Sequence, residues 1–245
     1  MAAENPWKIG TLLESHDVAE NVRALTFALP EIGSYRAGQH CDIRLTAPNG
    51  YQAERSYSIG SAPEKEGEVE FGIQLLANGE VSPYLWRMKP GAQIEIRGPI
   101  GGHFVWGVNM PGPLILIGGG SGMVPLMSML RHHANNLLVD AGRQIVFIIS
   151  ARKLEYVLYR EELAALAKKD PNIRIVITIT ETPPEGWTGY TRYVDQAMLT
   201  ETIGTLTDGM PMTYICGPTA FVEAVATAMI ALNFNPHAIK TERFG

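Results

Sequence analysis

The chain has 245 residues, 46% of them hydrophobic and 18% charged, with a formal net charge of −5 at neutral pH. That length buries a real core in one large domain or two small ones, and the composition is ordinary for a soluble globular protein. The mild acidity speaks against a nucleic-acid footprint, which needs a basic face, and there is no basic run suited to an anionic membrane.

No apolar run approaches the roughly 18 residues of a membrane span. The segment Met1 to Trp7 lacks the basic and apolar regions of a signal peptide, so a cytoplasmic protein is expected. The two cysteines, Cys41 and Cys216, imply no disulfide framework. They are too few for an iron–sulfur cluster with four cysteine ligands, and no metal site is expected.

Up to Arg97 the chain reads as β structure. Lys8–Glu14 and Val22–Leu29 hold alternating or clustered apolar residues, and Pro30 and Gly33 break the pattern. Arg36–Gln39 reads as a turn before a strand at Cys41–Leu45. Pro48-Asn49-Gly50 is a second turn, and the strand after it carries Arg55-Ser56-Tyr57-Ser58. Glu68–Leu76 alternates well, Pro83–Trp86 suits a short helix, and Gln93–Arg97 is a further short strand. Short strands with turn punctuation predict a small antiparallel barrel over residues 1–108. Gly107–Pro113, rich in glycine and proline, reads as a linker.

Over residues 109–245 strands and helices alternate. Strand Leu114–Ile117 runs through Gly118–Gly122 into a helix with Met123, Leu126, Met127 and Leu130 at helical spacing. Strand Ile145–Ser150, a helix over Arg160–Lys168, strand Ile173–Thr180 and a short helix at Val194–Leu199 follow. A strand ending at Tyr214–Cys216 leads into a helix marked by Phe221, Val222, Val225, Met229 and Leu232. This order predicts a parallel sheet with right-handed crossovers and ligands at the strands' carboxyl ends. Gly118–Gly122, Ser150–Arg152, Thr180-Glu181 and Cys216–Pro218 all fall at such ends.

Arg55–Ser58 brings a fixed cation, an aromatic ring and two hydroxyls together. In extended backbone Arg55 and Tyr57 share one face, Ser56 and Ser58 the other. A guanidinium suits a phosphate, a tyrosine ring lies against a flat heterocycle, and a serine offers a donor to a ring nitrogen. The alternative is an edge strand whose polar residues face water. Gly79-Glu80-Val81-Ser82 precedes the first short helix, where Ser82 could cap the helix and bond a phosphate oxygen.

Five stretches in fixed order resemble the ferredoxin–NADP reductase family. Arg55–Ser58 resembles its R-x-Y-S flavin motif and Gly79–Ser82 its G-x-x-S motif. Gly118 to Pro125 resembles its nicotinamide phosphate loop, Cys216-Gly217-Pro218 its C-G-P motif, and Glu242-Arg243-Phe244 its acidic-x-aromatic terminus. The likeness runs from Trp7 to Gly245. It implies an FAD-binding β-barrel followed by an NAD(P)H-binding α/β domain, and a flavoprotein reductase passing a hydride from NADH or NADPH to bound FAD. The electrons would then go to a separate acceptor, a ferredoxin-type iron–sulfur protein or an oxygenase.

By the same resemblance Arg55, Ser56, Tyr57 and Ser58, with Ile73, Gln74, Gly79, Val81, Ser82 and Phe244, hold FAD. Gly119, Gly120, Ser121, Gly122 and Pro125, with Ser150, Arg152, Thr180, Glu181, Cys216, Gly217 and Pro218, take the nicotinamide nucleotide. Ser58, Cys216, Glu242 and Phe244 form the catalytic set. Cys216 also reads as a small buried hydrophobe, and Glu242 as a solvated carboxylate.

Two departures stand out. Met123 replaces the last glycine of a G-x-G-x-x-G fingerprint begun at Gly118, and no acidic residue ends the second strand, where Ser150-Ala151-Arg152 stands. An ordinary Rossmann dehydrogenase is therefore not expected. Where NADPH-using members carry a serine–arginine pair, this chain has Thr180-Glu181, and Glu181 would repel a 2′-phosphate. NADH is the expected donor unless Arg152 or Arg192 reaches that phosphate. Two rival functions are a flavin reductase acting on free flavin, told apart by a colourless purified protein, and a non-catalytic flavin-binding regulator, which NAD(P)H would not bleach.

Overall fold

The structure, a computed structural model, describes residues 5–204, 206 and 209–244; Gly245, which follows Phe244, lies outside them. Its contacts divide the chain into two units. One takes in the described residues up to Gly107 together with Met127–Asn135; the other takes in Val108–Leu126 and the described residues from Asn136 onward.

The first unit is a six-stranded antiparallel sheet built from β1 (Lys8–Ala19), β2 (Val22–Ala28), β3 (His40–Thr46), β4 (Gln52–Ser58), β5 (Glu68–Gln74) and β6 (Gln93–Ile100), in the order β4-β3-β6-β1-β2-β5. The end strands meet at an Ile59–Phe71 bridge, and the Gly60 N–H donates to the Glu70 carbonyl at 2.7 Å, which closes the sheet into a barrel. The period-two pattern explains the fill: Val69, Phe71 and Ile73 of β5 and Ile94 and Ile96 of β6 turn into a core with Leu25, Phe27 and Ile43. A short helix, α1 (Ser82–Arg87), adds Leu85 to that core.

β1 runs well past the Glu14 limit that apolar patterning predicts. Its extension is half-buried or exposed and is held by ladder pairing to β2 with two register shifts, so hydrophobic pattern could not reveal it.

Two side chains from a later helix, α2 (Met123–Asn135), complete this unit. The Ser128 hydroxyl donates to the Ser61 carbonyl at 2.6 Å, and Arg131 donates to the Gly60 carbonyl and to Glu70 Oε1, each at 2.8 Å. They fix the stretch immediately after β4.

The second unit is a five-stranded parallel sheet in the order β11-β10-β7-β8-β9, from β7 (Leu114–Gly119), β8 (Ile145–Lys153), β9 (Ile173–Thr182), β10 (Met212–Pro218) and β11 (Ile239–Phe244). The crossover helices include α3 (Arg160–Lys169), α4 (Gln196–Ile203) and α5 (Thr219–Ala231). β7 is buried along its whole length, as a central parallel strand covered on both faces should be. The helix predicted at Val194–Leu199 starts later, because Asp195 caps it by accepting from the Met198 N–H at 2.8 Å. No helix among the described residues is long and apolar enough to cross a membrane.

Two features here escape the sequence. β11 has no buried alternation; its residues are half-buried or exposed, and the parallel ladder to β10 defines it. The expected linker is tied down: half-buried Arg143, paired with Asp140 at 2.6 Å, donates to the carbonyls of Val108 at 3.0 Å and Met110 at 2.8 Å, and to that of Gly112.

Candidate functional site

In the first unit, β4 presents different chemistry on its two faces. Ala53 turns into the core and Tyr57 packs against it, while Arg55 between them is exposed. Burial pushes the Tyr57 phenol up to about 12, so the ring stays neutral. The Arg55 guanidinium donates to the neighbouring Glu54 carbonyl at 2.6 Å and has no carboxylate partner among the described residues.

The opposite face is already occupied. The Ser56 hydroxyl donates to Asp42 Oδ1 at 2.6 Å, and Arg97 donates to Asp42 Oδ2 at 2.8 Å. Both hold the Asp42 carboxyl below its usual range against the opposing effect of burial. The guanidinium carbons of Arg44 and Arg97 lie 4.1 and 4.5 Å from the Trp7 ring centre. Ser56 thus belongs to a structural network on the back of the strand, whereas Ser58, half-buried and paired with His40, ends the ladder.

The second motif lies beside the start of this strand: the Tyr51 hydroxyl donates to Glu80 Oε1 at 2.9 Å. Ser82 does not cap α1. Val81 holds the cap position, and the Ser82 hydroxyl accepts from the Leu76 N–H at 3.1 Å because the turn Leu76–Gly79 folds back onto it. The Ser82 O–H remains available to donate. Ile73 and Val81 are core residues, so they offer a ligand only backbone, and half-buried Gln74 ends β5.

These groups fit an FAD. An unneutralised guanidinium and a hydroxyl donor suit a diphosphate, and a neutral aromatic ring two residues further along β4 suits a flat heterocycle.

In the second unit the chain leaves β7 toward β8 and β9 and later returns to β10 and β11 on its other side. The strand order therefore reverses between β7 and β10, the position where open α/β sheets receive ligands. Gly118–Gly122 and Cys216–Pro218 meet there. A Cβ on Gly122 would lie 2.2 Å from the Cys216 carbonyl oxygen, so only bare backbone fits. Gly119 is shut in the same way by the Phe221 ring, at 2.9 Å. Ser121 is half-buried and Pro125 buried in the first turn of α2.

Cys216 pairs in register with Gly118 on one side and Glu242 on the other, with Gly217 opposite Arg243 and Pro218 opposite Phe244. Burial, reinforced by Glu242, raises the Cys216 thiol well above its ordinary value, so it stays protonated. Burial alone raises the Glu242 carboxyl to about 7.

At the carboxyl ends of β8 and β9, Ser150 and Thr180 are half-buried, and the Thr180 hydroxyl donates to the Ala151 carbonyl at 3.4 Å. Arg152 and Glu181 approach to 4.0 Å, both more than half exposed. Arg192 is drawn to helix α4, donating to Glu201 Oε1 at 2.8 Å. Sequence reasoning missed Tyr51, Ser128 and Arg131. The last two carry no local signal, because their partners lie more than sixty residues away.

Comparison with known proteins agrees with both halves of this arrangement. Residues 10–106 match the family model of the oxidoreductase FAD-binding domain, and residues 116–227 that of the oxidoreductase NAD-binding domain. The chain is 34% identical over 194 residues to ferredoxin–NADP reductase B of Sorangium cellulosum, covering 78% of this chain and 77% of that protein. It is 31% identical over 230 residues to NADH-cytochrome b5 reductase 1 of Pyricularia oryzae, covering 91% and 74%. Two solved structures share the fold. The flavohaem-like FAD/NAD-binding domain of nitric oxide dioxygenase from Vibrio cholerae gives a TM-score of 0.85 at 20% identity, over 97% of this chain and 98% of that one. The cytochrome b5 reductase domain of Ulva prolifera nitrate reductase gives 0.81 at 23% identity, over 98% and 97%.

Proposed function

Because this chain belongs to the ferredoxin–NADP reductase family of FAD- and NAD(P)H-dependent oxidoreductases, we propose that it draws reducing equivalents from NADH and delivers them to a separate iron–sulfur protein of ferredoxin type. FAD, when bound, supplies the chemistry that accepts a hydride and releases electrons singly. The observation that carries the reading is the registered row Gly118–Cys216–Glu242 across the sheet's reversal point.

Each residue then has a task. Arg55 and the Ser82 hydroxyl hold the diphosphate of FAD; Tyr57 supports the flavin ring, and Ser58 offers it a small donor. The Gly118–Gly122 backbone carries the nucleotide's diphosphate. Cys216, kept as a neutral thiol, gives the nicotinamide a small apolar contact rather than a nucleophile. Glu242 keeps its proton up to about pH 7, so a neutral carboxyl stands beside Cys216 below that pH. Phe244, at the end of β11, is the aromatic residue assigned to the flavin.

Preference for NADH is supported by the carboxylates facing both candidate arginines, Glu181 beside Arg152 and Glu201 on Arg192. Either pairing weakens the cation that a 2′-phosphate requires. The iron–sulfur acceptor is supported by the similarity to a ferredoxin–NADP reductase and by a chain whose two cysteines leave no cluster of its own. A haem-protein acceptor is the second reading, favoured by the likeness to an NADH-cytochrome b5 reductase.

Anaerobic stopped-flow reduction with NADH and NADPH, followed by mixing with a ferredoxin or with cytochrome b5, tests these points. The expected result is faster flavin bleaching by NADH and electron delivery to the ferredoxin. A higher kcat/KM with NADPH, lost on replacing Arg152, would overturn the nucleotide assignment. Delivery to cytochrome b5 alone would overturn the acceptor.

A further inference from the structure

Within the first unit, two short stretches meet beside the end of β4. A turn at residues 36–39 leads into β3, and a loop at residues 101–104 follows β6. Hydrogen bonds lock them together. The Arg36 N–H donates to Gln39 Oε1 at 2.8 Å, Gln39 Nε2 donates to the Gly101 carbonyl at 2.7 Å, and the Trp106 N–H donates to the Ala37 carbonyl at 3.0 Å. The turn also abuts the strand assigned to the flavin: the Ile59 N–H donates to the Gln39 carbonyl at 2.9 Å, and His40 lies opposite Ser58 in the β3–β4 ladder.

The side chains on this platform are basic. Arg36 and His103 are exposed, and His40 is half-buried. The Arg36 guanidinium reaches over the loop, its Nη2 lying 3.8 Å from where a Cβ on Gly102 would stand; the His40 ring lies 3.5 Å from the same position on Gly101. Burial holds the His40 imidazole below its ordinary value against the pull of Asp42, so it is neutral near pH 7. Arg36 takes part in no ion pair among the described residues. Residues 34–40 and 98–106 contain no aspartate or glutamate, in a chain where acidic residues outnumber lysine and arginine 25 to 20. Asp42, the first acid on β3, is already held by Ser56 and Arg97. A guanidinium fixed at its backbone and left without a counter-charge offers a carboxylate a planar, forked pair of donors.

We propose that this platform docks the electron acceptor through a carboxylate on the acceptor's surface, an assignment that rests on the ferredoxin reading above. The partner is then an iron–sulfur protein whose surface is acidic around its cluster. Position suits the task, because a protein seated on Arg36 lies beside Ser58, the flavin end of β4. Strength suits it too. One NADH yields NAD+, a proton and two electrons, and a plant-type ferredoxin takes one electron, so two acceptor molecules must dock and leave in each turnover. An exposed charge pair steers encounter and is weak enough to let the reduced acceptor go.

Steady-state reduction of an acidic plant-type ferredoxin by NADH, measured on the FAD-loaded enzyme, tests this for the parent, Arg36→Glu and Arg36→Lys. Arg36→Glu is expected to raise KM for the ferredoxin about tenfold, the scale of turning one attractive charge contact into a repulsive one. It should also flatten the fall of the rate with added salt. Arg36→Lys keeps the charge and is expected to stay within about threefold of the parent. Stopped-flow bleaching of the flavin by NADH, which needs no acceptor, is expected to be equal in all three, showing that the variants are folded and loaded. An unchanged KM in Arg36→Glu, or a slowed bleaching that accounts for its loss, would overturn the docking assignment and leave the ferredoxin reading standing. A parent that passes no electrons to the ferredoxin would overturn both.

Discussion

The two candidate ligand faces are made of different material. On the barrel, the groups proposed to meet a ligand are side chains on a strand and a nearby helix: an exposed guanidinium, a neutral ring and a hydroxyl. On the parallel sheet, they are mostly backbone, brought so close that Gly122 has no room for a methyl group. A side-chain site weakens in steps as groups are removed. A backbone site is insensitive to removal and fails when atoms are added.

The sharpest way to break this contrast is to add one carbon. Gly122→Ala places a Cβ within 2.4 Å of the Cys216 carbonyl carbon, and strands must move to admit it. A loss of about 3 kcal/mol in stability is expected from overpacking against backbone, together with loss of NADH binding and retention of FAD. Urea unfolding and nucleotide titration would show it; near-parental values in both would mean the two segments are not closely packed.

Removing a group from the barrel face should have a smaller and more selective effect. Arg55→Ala is expected to lower FAD affinity by about 1.5–3 kcal/mol, the worth of a charge-assisted hydrogen bond, with urea unfolding of the apoprotein unchanged. A variant that keeps FAD as tightly as the parent would remove Arg55 from the site.

Glu242 gives the sheet face a pH dependence. Its carboxyl titrates near 7 in the folded chain and near 4.5 when unfolded. Below pH 4.5 both states are protonated. Between 4.5 and 7 only the unfolded chain loses its proton, so stability falls as pH rises, by about 3 kcal/mol in all. Glu242→Gln should abolish that part of the decline. The difference between parent and variant stabilities at pH 5 and pH 8 measures it, and identical pH profiles would contradict the raised value. The smallest effect belongs to the back of β4. Ser56→Ala removes one exposed hydrogen bond to Asp42 and should cost about 1 kcal/mol or less in stability, without changing FAD affinity. A large loss of FAD would show that Ser56 faces the cofactor after all.

The sequence showed most of this fold because most elements announce themselves by period. Val69, Phe71 and Ile73 alternate, and Met123, Leu126, Met127 and Leu130 recur at helical spacing. β11 and the end of β1 were illegible because ladder hydrogen bonds rather than buried faces hold them. At the site, residue types in order were enough to single out Arg55, Tyr57, Gly122, Cys216 and Glu242. They could not assign Ser56, whose hydroxyl faces a carboxylate fourteen residues earlier on the adjoining strand. Nor could they show that Ser82 would bond the Leu76 backbone instead of capping α1. Those outcomes depend on pairing across strands and on how a turn closes, and neither leaves a mark on local composition.

Ser128 and Arg131 bear on how this architecture could be re-engineered. They stand 61 to 71 residues downstream of Gly60, Ser61 and Glu70, the groups they secure. The barrel is therefore not a cassette that can be excised between two points in the gene. A fragment ending at Gly107 would expose the Gly60 and Ser61 carbonyls and leave Glu70 without its guanidinium, immediately after the strand that bears Arg55 and Tyr57. A chimera that exchanges nucleotide domains would have to carry the last turns of α2 along with the barrel, or supply a serine and an arginine at the same helical positions.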